Sequence, residues 1–116
     1  MPALLFDLDG TLVDSVYQHV LAWREALEKT GIQLAVWRIH RRIGMSGGLL
    51  INALLCETGH RVTDKEAAHL QRVHEEAFER QAAQVRPLPG ARQLLDHLSA
   101  ADIPFAIATS GRAESA

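Results

Sequence analysis

The chain has 116 residues, enough for one ordinary domain and short for two complete ones. Its composition is globular, 47% hydrophobic and 22% charged, with no low-complexity tract or internal repeat. Twelve Lys and Arg are dispersed among fourteen Asp and Glu for a net charge of -2, which argues against a nucleic-acid or anionic-membrane partner.

The N-terminal stretch MPALLFDLDG carries no basic leader, and Asp7 breaks its apolar run. It therefore reads as neither signal peptide nor membrane span, and a reduced, cytoplasmic setting is expected. PALLF is predicted to form a buried strand ending in a loop around Asp9, Gly10 and Thr11. Asp7 and Asp9 disturb that pattern. Side chains two apart on a strand share a face, where like charges repel.

DSVYQHVLAWREALEKTG carries Val16, Val20, Trp23 and Leu27 at helical spacing. Asp14 or Ser15 is its expected N-cap, and Gly31 lies just past its end. A shorter helix is predicted over AVWRIHRRI, stopping at Gly44, and a third over GGLLINALLCETG, ending at Gly59. The only cysteine, Cys56, falls in the apolar run of that third helix and is expected to be a buried structural thiol. TDKEAAHLQRVHEEAFERQAA opens with Thr63 and Glu66 in capping-box spacing, and Ala67, Leu70, Ala77 and Phe78 mark its buried stripe. Trp23 and Trp37 are expected in the core of this helical block. The six histidines show no metal-ligand grouping; His69 and His74 fall on different helix faces, which argues against zinc.

Pro87 and Pro89 then stop the long helix and stiffen an exposed connection. A short helix carrying Leu94, Leu95 and Leu98 follows, and PFAIAT is predicted as a second buried strand ending at Ser110 and Gly111. Two buried strands linked through a helix point to an α/β fold with a parallel sheet and a helical insertion after the first strand. Parallel sheets are normally covered on both faces, so the chain reads as the first part of a larger fold.

Ligands of open α/β sheets bind beyond the carboxyl ends of the strands. With the two strands as neighbours, Asp7, Asp9, Thr11, Thr109 and Ser110 converge on one crevice. Paired carboxylates there repel unless they share a cation or one is protonated. Mg²⁺, a hard ion with oxygen ligands, suits the first option and also bridges to phosphate. The hydroxyls and the backbone N–H groups after Gly111 are placed to hold phosphate oxygens.

DLDGTLVDS directly after a hydrophobic strand closely resembles the signature of the haloacid dehalogenase-like (HAD) phosphohydrolases. PFAIATSG is similar to their second motif, a strand ending in Ser or Thr. The helical block resembles the α-helical cap of the subgroup containing phosphoglycolate phosphatase and β-phosphoglucomutase, and VRPLPGARQLLDHL the segment that returns from it. The resemblance implies a Rossmann-like core over residues 1–14 and 84–116 and a cap over 15–83. It implies Asp7 as nucleophile, forming an aspartyl-phosphate, and Asp9 as general acid and then base. Asp7 through its carboxylate and Asp9 through its backbone carbonyl would bind Mg²⁺. Thr109, with Ser110 and Gly111, would bind the phosphoryl group, while Gly10 and Thr11 support the loop. In the cap loop RRIGMSGG, Arg41, Arg42 and Ser46 would select the substrate; a Gly-rich connection with solvated arginines is the alternative.

The family's third motif supplies a Lys or Arg, and its fourth one or two acids. Only GRAESA follows Ser110 here, so the chain is expected to be a truncated piece of such a hydrolase. The implied function is a Mg²⁺-dependent phosphatase of small phosphorylated metabolites, phosphoglycolate or sugar phosphates. A β-phosphoglucomutase-like phosphomutase is the alternative, although Gly47 and Gly48 stand where family mutases often carry an Arg. A third reading is a catalytically incomplete module that only binds phosphate or a partner.

Overall fold

A computed structural model describes residues 2–45, 47–59 and 63–109 of the chain. In order, the elements are β1 (Leu4–Asp7), β2 (Val13–Asp14), α1 (Val16–Lys29), α2 (Val36–His40), α3 (Gly47–Thr58), α4 (Asp64–Gln81), a 3-10 turn (Ala82–Gln84), β3 (Arg86–Pro87), α5 (Ala91–Ala100) and β4 (Phe105–Ala108). The fold is α/β. β1 and β4 pair in parallel with Leu4 opposite Phe105 and Asp7 opposite Ala108, and the Leu4 N–H extends the ladder to the Pro104 carbonyl.

The pairing confirms two strands joined through a helix, but they are not buried as expected. Leu5 is 72% exposed and Ile107 44%. Among the described residues, α5 buries only Ala91 and Leu98, and a single short helix cannot cover both faces of a sheet.

Most of the core lies instead in the helical block. Val20, Leu27, Ile39, Leu50, Leu54 and Leu70 come together there from α1, α2, α3 and α4. The apolar stripes of α1 and α4 follow their helical spacing, and the stripe of α4 gains Val73. Ala22, Ala77 and Phe78 form a second cluster where these two helices meet. No helix among the described residues is long and apolar enough to cross a membrane.

Several local expectations are corrected. α2 ends at His40, and Ile43 bridges to Met45 where helix was predicted to continue. Trp37 is 58% exposed, with the guanidinium of Arg41 over its ring at 5.0 Å, whereas Trp23 is buried. Cys56 is exposed: α3 buries Leu50, Ile51, Leu54 and Leu55, and Cys56 lies outside that face.

The helix ends follow their sequence signals more closely. Gly31, at φ 83°, closes α1 with its N–H on the Glu28 carbonyl and the Ile32 N–H on Leu27, a Schellman arrangement. Thr63 caps α4 by accepting the Glu66 N–H at 3.1 Å, while its hydroxyl donates to the Glu66 carboxylate. After α4, Pro87 lies in a short ribbon that was not predicted. β2 and β3 pair antiparallel, Val13 opposite Pro87, so the two connections between sheet and helical block run side by side. The Leu88 N–H on the Leu12 carbonyl ties the same junction together.

Candidate active site

The site begins where β1 ends. Asp7 is the last strand residue, is exposed, and accepts the Leu8 N–H on Oδ1 at 2.9 Å. The chain then turns tightly, because the Leu8 carbonyl accepts the N–H groups of Thr11, Leu12 and Val13, while the Gly10 N–H bonds back to Val13. Gly10 adopts φ 76°, and a Cβ at this position would stand 3.0 Å from Val16 Cγ2. Glycine suits both the left-handed backbone and this close approach to Val16. Thr11 is exposed in this turn.

The turn separates the two aspartates chemically. Asp9 Oδ1 accepts a hydrogen bond from the Ser15 hydroxyl, and His19 Nε2 lies 3.1 Å from the same oxygen. Ser15 stands at the N-cap position of α1, but its side chain makes no cap hydrogen bond and serves Asp9 instead. It is almost wholly buried, so its hydroxyl needs a partner, and the carboxylate supplies one. The His19 hydrogen bond is the main reason the Asp9 carboxyl lies below the ordinary aspartate range, with Ser15 adding to it and burial opposing it.

His19 is itself held. Its Nδ1 is 3.2 Å from Nε2 of His74, which lies 55 residues away on α4. Phe78 stacks on the His19 ring at 3.9 Å, and Trp23 stacks on His74 at 4.1 Å. Burial, with the positive charge that His19 can carry, pushes His74 down to about 3, so His74 is neutral at physiological pH.

The parallel register sets the other wall of the crevice. Asp7 lies opposite Ala108, so Thr109 follows at the same carboxyl end of the sheet. Ser110 and Gly111 lie outside the described residues, as does Ser46. Arg41 and Arg42 are both engaged by Glu57 of α3, Arg41 at 3.0 Å and Arg42 through two nitrogens, the nearer at 2.5 Å. Arg42, and then Arg41, hold the Glu57 carboxyl below the usual glutamate range.

Sequence reasoning missed Ser15, His19, His74 and Glu57. The histidines had a signal: Ser15, His19 and Trp23 follow each other at four-residue spacing, as do Leu70, His74 and Phe78. Each histidine therefore sits within an apolar stripe, where a polar ring needs a partner.

Together, the loop after β1 and the end of β4 present two carboxylates with different surroundings and a hydroxyl-bearing residue at one sheet edge. The chain matches the haloacid dehalogenase-like hydrolase family over residues 1–116 and belongs to it. It is 37% identical to hexitol phosphatase A of Escherichia coli strain K12 over 92% of this chain and 47% of that protein. It is 28% identical to β-phosphoglucomutase of Bacillus subtilis strain 168 over 97% of this chain and 52% of that protein. The solved structure of a hydrolase from Pseudomonas syringae superposes with a TM-score of 0.95 at 50% identity, covering 99% of this chain and 52% of the other. The chain thus spans about half the length of the relatives it matches.

Proposed function

We propose that the protein is a Mg²⁺-dependent phosphatase of small phosphorylated metabolites, with Asp7 as nucleophile and Asp9 as acid and base. One observation carries the reading: the register of β1 on β4 aligns Asp7 with Ala108, which brings Asp7, the Asp9 loop and Thr109 to one carboxyl edge. The helical block over residues 15–83 serves as a cap on a Rossmann-like core formed by 1–14 and 84–116. The single-cysteine composition favours a cytoplasmic setting.

A carboxylate oxygen of Asp7 attacks phosphorus, and the bond from phosphorus to the alcohol oxygen breaks as Asp9 gives that oxygen its proton. Water then attacks the aspartyl-phosphate, Asp9 takes the water's proton, and the bond to Asp7 breaks to release phosphate. His19 favours the ionised Asp9, the form required in the second step. In the first step Asp9 carries the proton on Oδ2 for the leaving oxygen, while its Oδ1 goes on accepting from Ser15 and His19. Thr109, Ser110 and Gly111 bind the phosphoryl oxygens.

The donor set suits a hard cation. Asp7 is exposed at the strand end, and the Asp9 carboxylate is committed to Ser15 and His19, which leaves its backbone carbonyl for an ion. Among the described residues no three His, Cys, Asp or Glu side chains cluster as a metal site, so Asp7 and the Asp9 carbonyl would be the part of the coordination these residues supply. When bound, Mg²⁺ offsets the charge of the carboxylates and the phosphate.

Arg41 and Arg42, braced by Glu57, and Ser46 select the substrate from the cap. Hexitol and other sugar phosphates are the first class to try, because the chain is 37% identical to hexitol phosphatase A. Similarity to β-phosphoglucomutase favours a phosphomutase as the second reading. The test is phosphate release by the intact protein from a panel of phosphoglycolate, hexitol phosphates and sugar phosphates, with and without Mg²⁺. Release that Asp7→Asn abolishes is expected. Transfer to a sugar hydroxyl in preference to water would favour the mutase, and release undiminished in Asp7→Asn would reject Asp7 as nucleophile.

A further inference from the structure

Asp9 is the terminus of a line of side chains that runs out of the loop and through two helices. Its Oδ1 meets His19 Nε2 at 3.1 Å, and His19 Nδ1 meets His74 Nε2 at 3.2 Å. Each ring is packed against an aromatic side chain, Phe78 lying parallel to His19 and Trp23 nearly parallel to His74. Stacking fixes the plane of an imidazole but leaves its two edges interchangeable by a half turn. What distinguishes the edges is the hydrogen bond on each nitrogen.

We propose that His74 is a positioning residue for the acid–base step, fixing through its Nε2 the edge of His19 that faces Asp9. With His74 on Nδ1, His19 Nε2 must point at the carboxylate, and an ionised Asp9, which can only accept, requires that nitrogen to carry a proton. Without His74 the ring can turn, and the Asp9 carboxylate then loses its donor for part of the time. Burial suits His74 to this task, since a ring that stays neutral adds no second charge beside His19. Sequence distance also gives the arrangement a consequence: α4 must be docked on α1 before Asp9 is correctly held. This inference deepens the reading of Asp9 as acid and base, and its catalytic meaning rests on that reading.

Two variants separate hydrogen bonding from packing. His74→Phe keeps a ring against Trp23 but loses the nitrogen, whereas His74→Gln places an amide nitrogen or oxygen near the former Nε2. Ring-nitrogen NMR of the 116-residue chain reads the state of His19 directly. A proton on His19 Nε2 is expected in the parent chain and in His74→Gln, with a mixture of states in His74→Phe. In the intact protein, hydrolysis of p-nitrophenyl phosphate by His74→Phe should show kcat lowered about tenfold or more with KM held, a share of the ~10²–10⁴ that positioned acid–base groups supply. His74→Gln should recover most of that loss. A bare Nε2 on His19 in the parent chain, an unchanged His19 ring in His74→Phe, or equal kcat losses in both variants would each overturn the assignment. If the parent protein hydrolyses nothing, the phosphatase reading fails while the ring spectra still decide the role of His74.

Discussion

His19 Nε2 stands 3.1 Å from Asp9 Oδ1, so the carboxylate that follows the first strand is held by the first helix and not by its neighbour Asp7. This contact, with the Ser15 hydroxyl, gives two acidic residues so close in sequence different surroundings. Asp7 lies exposed with a backbone N–H on one oxygen, while Asp9 is partly buried between a hydroxyl and an imidazole. Environments that push two carboxylates apart are those that allow one to attack and the other to move protons.

Replacing His19 tests that division. His19→Phe keeps the stack on Phe78 and removes the largest influence holding the Asp9 carboxyl down. The Asp9 carboxyl should then titrate higher, toward the ordinary aspartate range, with Ser15 still opposing the change. A carbon-detected NMR titration of the side-chain carboxyl measures it; an unmoved midpoint would show that His19 does not set the charge of Asp9.

Stability should fall with acid through His74. In the unfolded chain this histidine protonates near 6.5, and in the folded protein only near about 3. Above 6.5 both states are neutral and the residue contributes no slope; between 6.5 and 3 the unfolded state binds the extra proton, so stability is lost as pH falls. The loss approaches about 1.4 kcal/mol per pH unit across that window, or roughly 2 kcal/mol by pH 5. Asp9 acts in the same direction at lower pH, its depressed carboxyl losing its contribution as it is protonated. Urea unfolding of the parent and His74→Phe chains at several pH values should show a flatter dependence in the variant. Parallel curves would argue against a buried neutral His74.

Two glycines with similar backbone angles should respond differently to alanine. Gly10 has φ 76° and Val16 Cγ2 within 3.0 Å of the added methyl, whereas Gly31 has φ 83° and open space. Gly31→Ala should cost about 1–2 kcal/mol from the left-handed backbone alone. Gly10→Ala should exceed it and also disturb the Asp9 loop, lowering kcat in the intact protein. Denaturant midpoints and steady-state kinetics read the two effects separately, and equal stability losses would mean that Val16 yields without strain.

Glu57 offers a test of the arginine pair. It engages both Arg41 and Arg42, and its removal leaves their charge while loosening their position. For a substrate-selecting pair, Glu57→Gln should raise KM for sugar phosphates several-fold with kcat nearly held. Stability should change little, as expected for partly exposed ion pairs. An unaltered KM across the substrate panel would assign the three residues to surface structure only.

The sequence by itself determined the strand before Asp7, the tight turn at Gly10, the caps at Gly31 and Thr63, the main apolar stripes and the family. Those features are local: they depend on side-chain period, on the conformational range of glycine, and on hydrogen bonds between residues a few positions apart. Tertiary structure alone decided that the Ser15 hydroxyl turns from its cap position to Asp9, that Glu57 draws in Arg41 and Arg42, and that Cys56 and Trp37 face outward. It also decided that His19 and His74, 55 residues apart, share a hydrogen bond. A histidine in an apolar stripe signals that a partner is needed, but not which one. Only the packing of α1 against α4 brings the second ring within reach, because helix contacts depend on crossing geometry that no single segment encodes.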